Sequence, residues 1–275
     1  MHNTFWEKKD HLKLMQEMNM LSLELHECAE VNFTCSGVNT FAFNRIFAVY
    51  STDGNSYLQK GVGGPITPMR AGCIYFISSA EELVCHFEKG TYFFSFHFDA
   101  IAPSGRELFF QAGLLQEEEE GCEAWIAEVK EILSNPEDQT AVIRLKSLLL
   151  QKIVRYLPRR SRLPDDTPLL ERDLFSYLRN EANAQTTIAD LAAIAHVSPD
   201  TLSRYFSKRN NITIKRYLDH SIAARASQML RDSSLKIKDI ARKLKFRNEY
   251  YFSRFYKRET SQTPSEFRRN FEIKR

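Results

Sequence analysis

Two stretches of this chain, "TLSRYFSKR" at 201–209 and "YFSRFYKRE" at 251–259, each set Ser-Arg before an aromatic pair and follow it with further cations. An arginine fork matches the paired acceptors on a guanine edge, while Ser, Lys and Arg donate to phosphate oxygens. The chemistry these residues offer is recognition of duplex DNA. The other reactive side chains are less organised. His86 and His97 stand apart with no His-x-His, so a metal centre of converging histidines is not indicated and neither catalysis nor a cofactor is expected. Cys28, Cys35, Cys73, Cys85 and Cys122 are odd in number, widely spaced and contain no C-x-x-C pair. They read as reduced thiols packed like small hydrophobes.

The elements that must carry the Ser-Arg motifs are themselves repeated. Ile188, Asp190 and Ala192 recur as Ile237, Asp239 and Ala241 at one constant offset; beyond the turn the offset grows by one, pairing Ser203, Arg204, Thr213 and Tyr217 with Ser253, Arg254, Thr263 and Phe267. An insertion of one residue belongs in a turn. Each copy is therefore predicted to be two short helices joined by a turn, the first helix carrying apolar residues at i, i+3, i+4 and i+7 and a small residue, Ala192 or Ala241, where the second can cross closely. Ser198 and Asn248 are the expected N-caps of the second helices, with Pro199 at the first helical position. Leu202, Tyr205 and Phe206 are predicted to face inward in one, and Phe252, Phe255 and Tyr256, in part, in the other. The outward surface, and so the candidate DNA-binding set, is Ser198, Asp200, Thr201, Ser203, Arg204 and Lys208, with Asn248, Glu249, Tyr250, Ser253, Arg254 and Lys257 in the second copy.

Charge divides the chain in the same sense. Residues 1–165 hold 16 Lys and Arg against 22 Asp and Glu, net −6, whereas residues 166–275 hold 22 against 13, net +9. A polyanion partner is implied for the second half alone. The polar, proline-marked segment "LPRRSRLPDDTP" at 157–168 separates the two. Length supports two domains, with expected bounds of 1–160, a linker at 161–168, and 169–275. No run of apolar residues is long enough for a membrane span, and no signal layout is seen at the start, so a cytoplasmic protein with no membrane partner is expected.

The segments "IADLAAIAHVSPDTLSRYFSKRNNITIKRYL", "SIAARASQMLR" and "IKDIARKLKFRNEYYFSRFYKRETSQTPSEFRR" resemble the C-terminal DNA-binding domain of AraC-type (AraC/XylS) bacterial transcription regulators over about residues 170–270. The resemblance implies two helix-turn-helix units on one DNA face, joined by a long helix at about 215–231. It departs from the family at Asn211, Lys245 and Ser261, where glycine is usual; a changed turn and a smaller role for Arg254 are expected in the second unit on that ground.

In the first half, 45–51, 73–78, 82–88 and 91–98 are aromatic, β-branched and separated by turn residues. "MRAGCIYFIS" resembles the cupin-like sensor domain of the same family. Helical periodicity follows at 122–135 and 138–157; in the family such helices form a dimer interface, and Val142, Leu145, Leu148, Leu149, Ile153 and Leu157 are predicted to make the seam. The arm at 1–30 fits helix or strand, and "QEEEEGCE" at 116–123 reads as a solvated loop or helix start. On 91–98 the alternation puts Phe93, Ser95 and His97 on one face and Tyr92, Phe94, Phe96 and Phe98 on the other. His97 is either a satisfied interior histidine or a ligand contact, and Arg45 either a rim salt-bridge partner or a ligand contact; Arg45, Phe93, Ser95 and His97 form the candidate effector set.

The expected fold class is thus α+β in two domains: a cupin-like β-barrel with dimerisation helices, then an all-α double helix-turn-helix domain. The resemblance implies a transcription regulator acting on operator or promoter DNA, a sugar or related metabolite as effector, a homodimer, and RNA polymerase as partner if it activates. The competing class, a DNA-repair alkyl-acceptor with the same DNA-binding domain, needs cysteines in paired near spacings that this chain lacks.

Overall fold

The computed structural model describes residues 22–102, 105–110, 115–118, 122–135, 137–156, 169–210 and 212–272. The expected linker at 161–168 and most of the arm at 1–30 lie outside them. The part of the arm that is described, Ser22–Val31, is strand β1.

Eight further strands follow: β2 (Cys35–Thr40), β3 (Asn44–Ser51), β4 (Tyr57–Lys60), β5 (Ile66–Pro68), β6 (Ile74–Ile77), β7 (Glu82–Phe87), β8 (Tyr92–Ile101) and β9 (Leu115–Glu118). They form two antiparallel sheets, ordered β1-β8-β3-β6-β9 and β2-β7-β4-β5. The arrangement is barrel-like but not closed. Because β9 pairs with β6 through Leu115↔Ile77 to Glu118↔Ile74, the start of the acidic run is a strand, not the loop or helix start its composition suggests; the ladder supplies what the charged sequence does not.

Both faces of the central strands β3, β6 and β8 of the five-stranded sheet are largely buried, which follows from their near-continuous apolar sequences. Ile46, Ala48, Phe94, Phe96 and Phe98 pack outward on helices α1 (Cys122–Ser134) and α2 (Ala141–Tyr156), while Phe47, Val49 and Phe93 pack inward with Leu58, Leu83 and Phe87 of the other sheet. The face of α2 that meets the sheet is Leu145, Leu148, Leu149 and Ile153, all at most 5% exposed. The seam predicted for a dimer is therefore core, except for Val142, which is exposed, and Leu157, which lies outside the described residues.

The C-terminal part is all helix: α3 (Leu169–Asn180), α4 (Ile188–Ile194), α5 (Pro199–Asn210), α6 (Ile214–Leu230), α7 (Ile237–Lys243), α8 (Glu249–Thr260) and α9 (Pro264–Glu272). The sequence repeat is a structural repeat. The caps repeat as well: Thr213 Oγ1 accepts from Arg216 N at the start of α6, and Thr263 Oγ1 from Glu266 N at the start of α9, each at 3.2 Å. The α6 helix runs between two small cores. One joins Leu191, Ala192, Leu202 and Phe206 to Leu218, and the other joins Ile240, Ala241, Phe252 and Tyr256 to Leu230.

Candidate nucleic-acid interface and effector cavity

The two helix-turn-helix units share one turn geometry. After α4, His196 takes φ 50°, with His196 N donating to Ala193 O at 3.1 Å and Val197 N to Ala192 O at 3.0 Å. After α7, Lys245 takes φ 55°, with Lys245 N donating to Arg242 O at 3.0 Å and Phe246 N to Ala241 O at 2.9 Å. Lys245 thus adopts the left-handed conformation that glycine adopts more readily, so the turn is kept and the expectation of a changed second turn is corrected. Ser261 does the same at the C-cap of α8, with φ 62°. Asn211 lies outside the described residues. The extra residue of the second copy is Arg247, between the turn and the cap.

Ser198 and Asn248 cap the helices that follow. Ser198 Oγ accepts from Thr201 N at 3.2 Å, and Asn248 Oδ1 from Tyr251 N at 3.1 Å. Phe206 and Tyr256 anchor the helices from inside, Phe206 against Phe175 and Tyr217, and Tyr256 through its hydroxyl to Ser227 Oγ at 2.7 Å. Of the first aromatic pair only Phe206 is buried; Tyr205, expected inside, is 36% exposed. At the outer surface Asp200, Thr201, Arg204 and Lys208 of α5 are exposed and Ser203 is half-buried; in the second unit Glu249, Tyr250, Arg254 and Lys257 are exposed and Ser253 is half-buried. The caps Ser198 and Asn248 are exposed too.

A cavity of about 630 Å³, its open mouth included, lies between the sheets. Arg45, Phe93, Ser95 and His97 all line it. Register brings them together: Arg45 of β3 lies directly opposite His97 of β8, and Arg45 Nη1 sits 2.7 Å from His97 Nε2. Ser95 Oγ is 3.0 Å from the same nitrogen. His97 Nδ1 lies 2.7 Å from Glu27 Oε2. Arginine only donates, so Nε2 accepts at 2.7 Å; Nδ1 then carries the proton toward Glu27 at 2.7 Å, and the longer 3.3 Å approach of Arg231 Nη2 to Nδ1 is not a hydrogen bond in this tautomer. Arg45 therefore points inward, over the Phe41 ring at 4.0 Å, and is not a rim residue. Burial pulls its guanidinium down to about 10 despite the opposing charge of Glu27, and its Nε is buried without a hydrogen-bond partner.

Sequence reasoning missed Glu27, Arg231, Gln262 and Phe267. Glu27 enters the cavity because a bulge between Leu25 and Glu27 reverses the alternation of β1. Arg231, at the C-cap of α6, places Nη2 3.6 Å from Glu27 Oε2, and Gln262 Nε2 donates to Asn39 Oδ1 at 2.8 Å. Gln262 and Phe267 line the cavity from the helical domain. The polar end of the cavity is thus built jointly by both halves of the chain.

Among the described residues, the one group of three potential metal ligands is Glu24, His26 and Asp99. It contains no cysteine. His26 Nε2 is already 2.9 Å from Asp99 Oδ2, and Arg179 Nη2 is 2.5 Å from Glu24 Oε1. Cys73, Cys85 and Cys122 are buried, and Cys28 and Cys35 are half-buried. Burial pushes the Cys85 thiol up to about 12, so it is not a thiolate nucleophile. No helix of the described residues is long and apolar enough to cross a membrane.

The family model described as a helix-turn-helix domain matches residues 191–270. The uncharacterized HTH-type transcriptional regulator YijO of Escherichia coli is 25% identical over 143 residues, 52% of this chain and 50% of that protein. The HTH-type transcriptional activator RhaR of Mannheimia succiniciproducens is 26% identical over 144 residues, covering 51% and 52%. This chain thus spans about half the length of these curated relatives. In structure, unsaturated fatty acid-bound ToxT of Vibrio cholerae matches with a TM-score of 0.62 and 14% identity, over 90% of this chain and 95% of that one. At that identity the likeness is one of fold, and it extends over both domains.

Proposed function

We propose that this chain, whose C-terminal region is an AraC-type helix-turn-helix domain, is a sequence-specific regulator of transcription that binds duplex DNA and answers to a small amphipathic acid held between its two sheets. DNA binding rests on the paired units with matching turns, their outward Arg204 and Arg254, and the +9 charge of residues 166–275.

The effector class rests on one observation: a buried Arg45 Nε without a hydrogen-bond partner stands at the polar end of an otherwise aromatic cavity. Arg45 and Arg231 flank Glu27, so this end has cationic charge to spare for an anionic head group. Phe41, Phe47, Phe87 and Phe93 offer the remainder of the ligand an apolar wall. A sugar, the effector class first expected, needs hydroxyl partners along its whole length, whereas Phe33, Phe41, Phe47, Phe87, Phe93 and Phe267 make much of this lining apolar. The fatty acid carried by ToxT, a fold relative, is consistent with the acid reading.

The chain is further read as a homodimer. The seam is the outer stripe of α2, where Ile143, Leu150 and Val154 are 71%, 40% and 54% exposed.

The test is selection of duplexes from a randomised library by the full chain, followed by gel shift on the selected duplex with oleate and with a panel of sugars. Selection of a defined sequence, with affinity that oleate changes and sugars do not, is expected. An unselective chain refutes the DNA reading, and a response to sugars alone refutes the acid reading.

A further inference from the structure

The two reading helices carry the same arginine in different company. Arg254 lies with its guanidinium carbon 5.7 Å from the centre of the Tyr250 ring, one helical turn earlier on the same face. Tyr250 is 64% exposed, so its ring is not there to fill a core. The residue at the equivalent place in the first unit is Asp200, one turn before Arg204.

The Tyr250 ring is itself supported. Tyr251 meets it edge-on, with centroids 5.8 Å apart and planes at 79°, and Arg247 lies 5.8 Å from the centre of the Tyr251 ring. Arg247 is the residue inserted in the second copy of the repeat. The insertion thus completes a ladder, Arg247–Tyr251–Tyr250–Arg254, that runs from just before the cap into the second turn of α8.

We propose that Tyr250 is a positioning residue that holds Arg254 for base reading and so sets the sequence preference of the second unit; this rests on the DNA-binding reading above. A free arginine side chain loses rotamer freedom when it docks on a base edge. A stacked one has lost part of that freedom already, at the cost of little more than a solvent-exposed ring contact. The stack leaves the edge of the guanidinium open, and that edge forks onto the O6 and N7 acceptors of guanine. In the first unit the equivalent position is Asp200, which has no ring to set beside Arg204.

The experiment measures binding of the full chain, at fixed salt, to its selected duplex and to variants at each base pair under the second unit. Tyr250→Ala, Tyr250→Phe, Arg254→Ala and the Tyr250→Ala, Arg254→Ala double variant are compared, with circular dichroism on each. Tyr250→Ala is expected to lower discrimination for guanine at the position read by Arg254 by about two- to five-fold, Tyr250→Phe to restore it, and the double variant to be no worse than Arg254→Ala alone. A Tyr250→Ala effect that persists in full when Arg254 is absent would mean that Tyr250 touches the DNA itself, and it overturns the proposal. So does unchanged discrimination in Tyr250→Ala. A wild-type chain that selects no duplex removes the DNA-binding reading and this inference together, whereas loss of discrimination in Arg204→Ala with none in Tyr250→Ala leaves the former intact and ends only the latter.

Discussion

The Arg45 guanidinium donates from Nη1 to His97 Nε2 across 2.7 Å, in a strand pair where the two residues lie directly opposite one another. The bond fixes the tautomer of His97 and turns its Nδ1 proton to Glu27, which also faces Arg231 of the helical domain. Arg45 is thereby coupled to the domain contact through a single imidazole ring. Replacing Arg45 by Met keeps an apolar stem of similar length and removes the cation. The expected result is loss of oleate-induced thermal stabilisation, about 2.7 kcal/mol at 100 times Kd in the wild type. Affinity of the ligand-free protein for DNA should stay unchanged. Calorimetric scanning with and without oleate, beside a gel shift, checks both.

Because the turns at His196 and Lys245 match in backbone angle and hydrogen bonds, the two reading helices should contribute comparably. Arg204→Ala and Arg254→Ala are each expected to cost about 1–3 kcal/mol of specific binding and to flatten preference at one or two base pairs. Fluorescence anisotropy on single-base variants measures this, and a uniform loss across all of them would assign the arginine to phosphate.

Leu148 and Leu150 lie two positions apart on α2 and have opposite fates. Leu148 is 4% exposed and packs on the sheet, and its carbonyl accepts from Trp125 Nε1 at 3.2 Å; Leu150 is 40% exposed. Leu148→Arg should unfold the sheet domain, since an unpaired charge would enter its core. Leu150→Arg should leave circular dichroism unchanged and convert dimer to monomer. Sedimentation of the full chain decides, and a wild type that is monomeric at tens of micromolar contradicts the dimer.

Glu107 is held in the sheet domain by Asn44 Nδ2 at 2.7 Å and Phe109 N at 2.9 Å. Burial, aided by the charge of Asp99, nevertheless pushes its carboxyl up to about 8 from an ordinary 4.5. Between those values the folded chain keeps a proton that the unfolded chain has released, so stability falls as pH rises through this window. His220 acts in the other sense at lower pH: burial lowers it from 6.5 to about 4, so stability rises with pH across that range. Of these two groups, Glu107 alone acts above 6.5. Urea unfolding at a series of pH values is expected to show the wild type weakening from pH 6.5 to 8, and Glu107→Gln to remove most of that slope.

What the sequence alone determined is what local rules govern. The double helix-turn-helix was legible because periodicity, caps and turn residues act within a few positions, and because a repeat states the same instruction twice. The alternation of β8 likewise separated Phe94, Phe96 and Phe98 from Phe93, Ser95 and His97 before any fold was known. Three matters were left to the tertiary structure. Which apolar stripe of α2 is buried depends on the sheet it meets, since both stripes carry leucine and the buried one alone finds Phe96 and Trp125 behind it. The entry of Glu27 into the cavity depends on a one-residue bulge, which no alternation rule marks. The meeting of Glu27 with Arg231 joins the first described strand to the end of α6. Contacts between residues so distant in sequence are set by how whole domains pack, a balance of buried area and paired charge that no short window of sequence contains.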